Sequence, residues 1–444
     1  MKVLPFRGYR YNLAKVGRLD DVISPPYDQY GEGLDDFLYA RHPANIARII
    51  MNKESLEDTP DNNRYTRSKA LLNQWIREGV FVQDDCPGIY PYFQVYRLSD
   101  NGIRTRKGFI ALGEVTDYAK GIVHPHERTL LKPKQDRLNL LRATLADTGL
   151  IFILYSDPEG RVEALLDSVT SRPPEMEAQD LSQDLNQLWK VENQSFIGKI
   201  QAALAEKTAI IADGHHRYEV ALAFKQEALT RVPEDEKWRL YEYKLMSFVR
   251  LETPGLTIFP IHRLVRNVAG FDPGVLLRRL SKDFTTSEMM VSADNKVSIA
   301  ETLLKEASKL QASRENAFVL YLPSLGKMVY LVFQKAHADN MQWPAEKSAA
   351  WRELDISVLQ SVILERILGI GEKQLSEQSN LEYVSDFRDA IRLTDQKGFQ
   401  CSFLLNATPI EQVRDVVEAG DLLPQKSTHF YPKLMEGLVF AKHL

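Results

Sequence analysis

The chain has only two cysteines, Cys86 and Cys401, far apart in 444 residues. That excludes a disulfide framework and any paired-cysteine metal spacing, and makes a reducing cytoplasm the simplest setting. Long hydrophobic runs are missing too. Nowhere do about eighteen apolar residues follow one another, so no membrane span is expected. The first residues have no continuous apolar stretch before Arg7, so no signal peptide is expected. A basic excess is also absent. Lys plus Arg number 56 against 60 Asp plus Glu, a formal net charge of −4, and no long basic run occurs. A nucleic-acid partner is therefore not expected. There is no internal repeat and no low-complexity tract. The Gln425-Lys426-Ser427-Thr428 stretch invites comparison with a phosphate-binding P-loop, but the glycine-rich run that such a loop needs is missing.

What is present is ordinary for a globular protein: 44% hydrophobic and 26% charged residues, in a chain long enough for two or three domains. Strand-like apolar segments lie at Tyr90–Leu98, Arg104–Leu112, Ile151–Tyr155 and Leu245–Val249. The first two read as a hairpin around Asp100-Asn101-Gly102. The alternation Tyr92, Gln94, Tyr96 predicts a half-exposed strand, and His42–Ile50 a turn followed by a short apolar strand. A helix is predicted over Asn62–Arg77 with Ala70, Leu71 and Trp75 inward. Beyond about residues 265–272 the pattern shifts to longer helices. Ala317–Leu322 and Lys327–Phe333 form a predicted hairpin, and Asp355–Leu368 an amphipathic helix ended by Gly369.

The densest chemistry lies in Thr208-Ala209-Ile210-Ile211-Ala212-Asp213-Gly214-His215-His216-Arg217-Tyr218. The apolar β-branched start reads as a buried strand, and the residues after Tyr218 as a helix. Asp213 is expected to cap that helix, and Gly214 to let a ligand approach the backbone. The helix N-terminus would add N–H groups and partial positive charge to His215, His216 and Arg217, a combination suited to phosphate. A purely structural cap and loop is the competing reading.

A second polar segment is Gly121-Ile122-Val123-His124-Pro125-His126-Glu127-Arg128-Thr129, followed by a helix expected to begin near Pro133, to bury Leu138, Leu141 and Leu145, and to carry Lys134 and Arg137 one turn apart. Three readings stay open here. Glu127 serves as a general base assisted by His126, the reading taken first; the residues are ordinary turn residues; or His124 and its neighbours hold a metal. Late in the chain, Lys426, Ser427 and Thr428 are candidates to hold a phosphate or carboxylate.

The run Asp213-Gly214-His215-His216-Arg217 resembles the strand–loop–helix phosphate motif of the ParB/sulfiredoxin-like superfamily. Archaeal free-serine kinases carry Asp-Gly-His-Thr-Arg there, and sulfiredoxins Gly-Cys-His-Arg. Here His215 stands in place of the sulfiredoxin cysteine, so the thiolate chemistry is lost, and His216 replaces the kinase threonine. Further segments resemble the family of domain of unknown function 1015 over nearly the full length: Pro5-Phe6-Arg7, Pro25-Pro26-Tyr27-Asp28, His124 to Thr129, Asp213 to Tyr218, Leu354-Asp355-Ile356-Ser357-Val358-Leu359, and Gln425 to Lys433.

These resemblances imply a mixed α/β (α+β) protein. Residues 1–265 would form a ParB/sulfiredoxin-like nucleotide- and phosphate-binding domain, and residues 266–444 a second mixed α/β domain that closes the site. The implied activity is phosphoryl transfer from ATP or ADP, with Mg²⁺, to a small hydroxyl metabolite, free L-serine first. His215, His216, Arg217 and Gly214 would hold phosphates, and Asp213 would cap the loop or bind Mg²⁺. Lys132 and Arg137 would steady the nucleotide or product. Glu127 would take the hydroxyl proton, and Lys426, Ser427 and Thr428 would complete the pocket. The alternative is a ParB-type nucleotide-binding regulatory or scaffold protein without turnover, with CTP a further candidate nucleotide. A nuclease ranks behind both. Oligomeric state stays open.

Overall fold

The computed structural model describes residues 1–98, 102–127, 131–229, 240–341, 343–377 and 379–443. The chain is mixed α/β and divides into two units. The first comprises Met1–Pro125, Thr129–Thr257 and Pro432–Leu444, and the second His126–Arg128 and Ile258–Tyr431.

The first unit is built on a nine-stranded sheet. In chain order its strands are β1 (Val3–Leu4), β2 (Tyr90–Arg97), β3 (Ile103–Glu114), β4 (Val123–Pro125), β5 (Ile151–Tyr155), β6 (Met176–Gln179), β7 (Leu185–Leu188), β8 (Ala209–Asp213) and β9 (Tyr243–Arg250). They lie in the order β4-β8-β5-β9-β3-β2-β7-β6, with β1 on β3. The pairs β4–β8 and β5–β9 are parallel, and the others antiparallel. β5 is apolar at every position because it is buried on both faces in mid-sheet. The unit's longest helices are α1 (Arg64–Arg77), α2 (Leu131–Thr144), α3 (Arg161–Val169), α4 (Gln194–Leu204) and α5 (His215–Leu229). Phe196, Ile197, Ile200 and Leu204 of α4 pack with Val162 and Leu166 of α3 into the core that Ile151, Ile153, Phe109 and Phe248 provide.

The final residues belong to this unit. Phe440 and Tyr9 exchange backbone hydrogen bonds at 3.0 and 2.9 Å, Glu436 and Ser24 do so at 2.8 and 3.1 Å, and Ala441 pairs with Asp147. The Phe440 ring meets Phe81 edge-on at 4.8 Å.

The second unit has a six-stranded, wholly antiparallel sheet of β10 (His262–Val265), β11 (Phe284–Met290), β12 (Ala317–Leu322), β13 (Lys327–Phe333), β14 (Leu381–Val384) and β15 (Cys401–Leu404). The order is β11-β13-β12-β15-β10-β14. The predicted β12–β13 hairpin is present with its predicted ends.

Several local expectations are corrected. Ala47–Ile50 is a short helix, not a strand, because Asn45 Oδ1 accepts the Ala47 N–H at 2.9 Å while its Nδ2 donates to Asp21 O. Tyr92, Gln94 and Tyr96 are all buried, since β2 lies inside the sheet between β3 and β7. In α1 it is Leu72 and Trp75 that are buried, and Ala70 is exposed. α2 begins at Leu131 and buries Leu140 and Leu141. Leu145 ends it in the left-handed region at φ +50°. Asp355–Val358 is a short helix that runs on as a π-helix over Leu359–Ile367. The spacing Leu359, Ile363, Ile367 suits that wider turn. The turn residues Asp100 and Asn101 lie outside the described residues.

Candidate phosphate-binding site

The first unit assembles the candidate site where β8 ends. The register between β8 and β5 shifts after Ile211, so that Asp213 pairs with Phe152. Such a bulge re-aims the residue that follows it. Asp213 belongs to the strand, not the helix cap. Its Oδ1 accepts the Gly214 N–H at 2.7 Å and its Oδ2 accepts from Lys433 Nζ at 2.8 Å. Gly214 occupies the cap position, its carbonyl accepting the Tyr218 N–H at 3.0 Å. Its φ of +89° explains the glycine. α5 starts at His215, so His215, His216 and Arg217 all lie in its first turn, where a helix presents N–H groups and positive potential.

Arg217 is buried. Its Nη1 donates to Leu150 O at 2.6 Å and lies 3.8 Å from Glu436 Oε1. Burial alone would lower its pKa, but Asp28, Asp213 and Glu436 together raise it. Burial also works against the Asp213 carboxylate, yet Lys433 and Arg217 hold that group well below the usual carboxylate range. Burial lowers the pKa of His216, so at neutral pH it offers a neutral imidazole. His215 is 5% exposed.

Arg137 joins this group through Tyr27, whose ring centre lies 4.3 Å from the Arg137 guanidinium and 6.0 Å from that of Arg217. Arg137 is otherwise committed to Ile50 O at 2.8 Å and to Asp136 at 2.7 Å. These contacts brace α2. Lys134 forms an ion pair with Glu219 of α5. The Lys132 side chain lies outside the described residues, as do Arg128 and Thr129.

Arg106 was hidden to sequence reading within the charged run Arg104-Thr105-Arg106-Lys107. It is 1% exposed, and its guanidinium covers the Phe152 ring at 4.6 Å. Phe152 is the strand partner of Asp213, and Arg106 stands within electrostatic reach of that carboxylate. Its Nη2 donates to Pro432 O at 2.6 Å and to Gln94 Oε1, while Nη1 is buried without a partner. Among the described residues Arg106 forms no ion pair. Burial pushes its pKa down to about 10, so it stays cationic at neutral pH.

Lys433 and Glu436 were also missed. Glu436 is 3% exposed, and burial lifts its carboxyl to about 7 against the opposing pull of Arg217 and Arg137. A lone carboxylate in the apolar run Leu434-Met435-Glu436-Gly437-Leu438-Val439 was its visible signal.

The segment before Glu127 also reaches the first unit. β4 lies parallel beside β8, with His124 opposite Ile210 and Pro125 opposite Ile211. His124 Nε2 faces Gly121 O at 3.0 Å. In the second unit His126 is buried, with Nε2 2.8 Å from Thr428 Oγ1 and its ring edge-on to Phe430 at 5.8 Å. Glu127 forms a β-bridge with Leu423. Ser427 is buried with its hydroxyl on Pro424 O, and Lys426 is exposed with φ +57°. Among the described residues no group of three or more His, Cys, Asp or Glu side chains is placed to hold a metal ion, and no helix is long and apolar enough to cross a membrane.

Comparison with known proteins fits this mixed α/β chain, with its Asp-Gly-His-His-Arg turn, into one family. The chain belongs to the family described as "Protein of unknown function (DUF1015)", whose model matches residues 3–357. No curated protein gives a significant match. Among solved structures, a conserved hypothetical protein from Pyrococcus furiosus is similar with a TM-score of 0.35 at 12% identity, over 72% of this chain and 90% of that one. A free serine kinase in complex with AMP gives a TM-score of 0.36 at 12% identity, over 72% and 86%. SbnI with C-terminal truncation from Staphylococcus aureus gives 0.34 at 9%, over 74% and 85%.

Proposed function

We propose that the first unit binds the phosphates of a nucleotide and that the protein transfers a phosphoryl group to a small hydroxyl metabolite, free L-serine first. One observation carries this reading. Around the N-terminus of α5 stand three enclosed or half-enclosed cations, Arg106, Arg217 and Lys433, against the firmly ionised Asp213 and the exposed Asp28. Glu436, close to half-protonated at neutral pH, does not balance them. Enclosed positive charge with an unpartnered guanidinium N–H calls for an anion. Phosphoryl transfer requires mainly such positioning and charge neutralisation.

The resemblance of Asp213–Arg217 to the serine-kinase motif supports serine as acceptor. Glu127, two residues past the end of β4, is the proposed proton acceptor, with His126 beside it in sequence. A bound nucleotide would supply the transferable phosphoryl group. Arg106, Lys433, His216 and the α5 N-terminus would hold it, with Lys433 moving from Asp213 to phosphate oxygen. Both Asp213 oxygens already accept hydrogen bonds, so no Mg²⁺ is assigned to it.

The test is calorimetric titration of ATP, ADP and CTP with Mg²⁺ into the full chain and into Arg106→Gln and His216→Ala, with folding checked by circular dichroism. The expected result is binding that Arg106→Gln weakens at least about tenfold, the factor for one charged partner. Glu127→Gln should keep binding and lose serine phosphorylation. Absence of binding by all three nucleotides refutes the proposal. Binding without turnover on any hydroxyl metabolite leaves the ParB-type regulatory role in its place.

A further inference from the structure

The second unit holds a cavity of about 450 Å³, within the range of small-molecule sites, roughly 300–1,000 Å³. Its walls include Trp351, Leu364, Leu381, Tyr383 and Gln360, and Arg263 lies among them. Leu364 and Gln360 come from the π-helical segment Leu359–Ile367. π-Turns are rare and recur at functional sites because they open the helix and re-aim its side chains. The segment is the continuation of Leu354–Leu359, a stretch singled out in the sequence that the phosphate site does not use.

Arg263 is the telling residue. It sits on β10 between β15 and β14 and is 3% exposed. Its guanidinium donates to neutral carbonyls, Lys426 O at 2.7 Å, Gln425 O at 3.5 Å and Ile261 O, and lies 5.3 Å from the Tyr383 ring centre. Among the described residues it forms no ion pair. Burial lowers its pKa only to about 10, so it remains charged. Of the other charged groups on the wall, Lys347 has a counter-ion, and the two carboxylates, Glu346 and Glu365, form no ion pair with Arg263 among the described residues. Lys347 pairs with Asp421 at 2.9 Å, and Glu365 accepts from Gln360 at 3.0 Å. Glu346 is exposed. One cation without an ion pair is therefore enclosed beside a cavity of ligand size, and enclosing a charge without a counter-ion is unfavourable. A polyphosphate would need more cations than this single one. The remaining surface, Trp351, Leu364, Leu381 and Tyr383, suits an apolar and flat body.

We infer that this cavity binds an amphipathic monoanion, an aromatic or branched aliphatic carboxylate being the fitting class, with Arg263 as the partner of its charge. The site is separate from the phosphate site and stands whether or not the protein is a kinase.

The probes are anilinonaphthalene sulfonate, a flat apolar monoanion, and phenylnaphthylamine, its uncharged counterpart. Both are titrated by fluorescence into the full chain. Both should bind, and Leu364→Trp, which fills the cavity, should abolish both signals. Arg263→Met should raise the sulfonate Kd at least about tenfold and leave that of the neutral probe within about twofold. Arg263→Lys, which keeps the charge, should recover part of the sulfonate affinity. It is the deciding variant if Arg263→Met loses its far-ultraviolet dichroism. No sulfonate binding by the unaltered protein, unchanged binding in Leu364→Trp, or equal losses of both probes at residue 263 would each overturn the inference.

Discussion

Glu436→Gln isolates a buried proton. In the folded chain the carboxyl sits 3.8 Å from Arg217 and is lifted from its ordinary value of 4.5 to about 7 by burial. Between those two values the folded chain binds more protons at this position than the unfolded chain does. Stability must therefore fall as pH rises through this window. Below 4.5 both states are protonated and the group contributes nothing. Above about 7 both are ionised and the full cost is present. Each pH unit of the rise corresponds to about 1.4 kcal/mol, giving about 3 kcal/mol in all. Glutamine keeps the shape and removes the titration. The assay is urea denaturation of both proteins from pH 5 to pH 9. The stability of the native protein relative to Glu436→Gln should decline by about 3 kcal/mol between pH 5 and pH 8, then level off. Taking the difference cancels the other titrating groups. A difference that stays constant across the series would refute the claim that this carboxyl is folded in with a raised pKa.

Lys433→Met should lower stability by about 1–3 kcal/mol at neutral pH, since it leaves the Asp213 carboxylate, 22% exposed, without its closest cation. Because that pair depresses the Asp213 pKa, its contribution is complete above the unfolded value near 3.9 and fades as pH falls further. Urea melts at pH 7 and pH 3 should show a smaller loss at the latter. Gly149→Ala should destabilise by about 1–3 kcal/mol in thermal or urea melts, because a Cβ there would lie 2.7 Å from Glu436 Oε1 and 3.1 Å from Arg217 Nη1. A neutral effect would mean that Glu436 moves freely. His216 should titrate below the ordinary histidine value. Proton NMR of the native chain against His216→Asn would show its imidazole resonance shifting below pH 6.5; a midpoint above that would exclude the neutral form as the phosphate donor.

Much of the secondary structure was legible in sequence because it rests on local periodicity. The strands Ile151–Tyr155 and Ala317–Leu322 have the ends their apolar patterns predict. Ala47–Ile50 was misread because a four-residue run that is apolar but for Arg48 looks alike as strand or helix, and the deciding Asn45 hydrogen bonds reach residues some twenty positions away. The Tyr92–Tyr96 alternation failed for a related reason: aromatic and amide side chains can be enclosed when their polar ends are satisfied, as Tyr92 Oη is by Asn186 at 2.6 Å.

The sequence by itself determined the strand–turn–helix at Asp213–Arg217, since glycine, imidazole and guanidinium groups in that order have few other uses between a buried strand and a helix. It could not assign Arg106, Lys433 or Glu436. Their neighbours, Phe152, Asp213 and Arg217, are brought to them only by the sheet order and by the return of the C-terminal segment to the first unit. Charge balance inside a protein is a sum over spatial neighbours. Only the tertiary structure decides which cations are left without an ion pair among the described residues, Arg106 in one unit and Arg263 in the other.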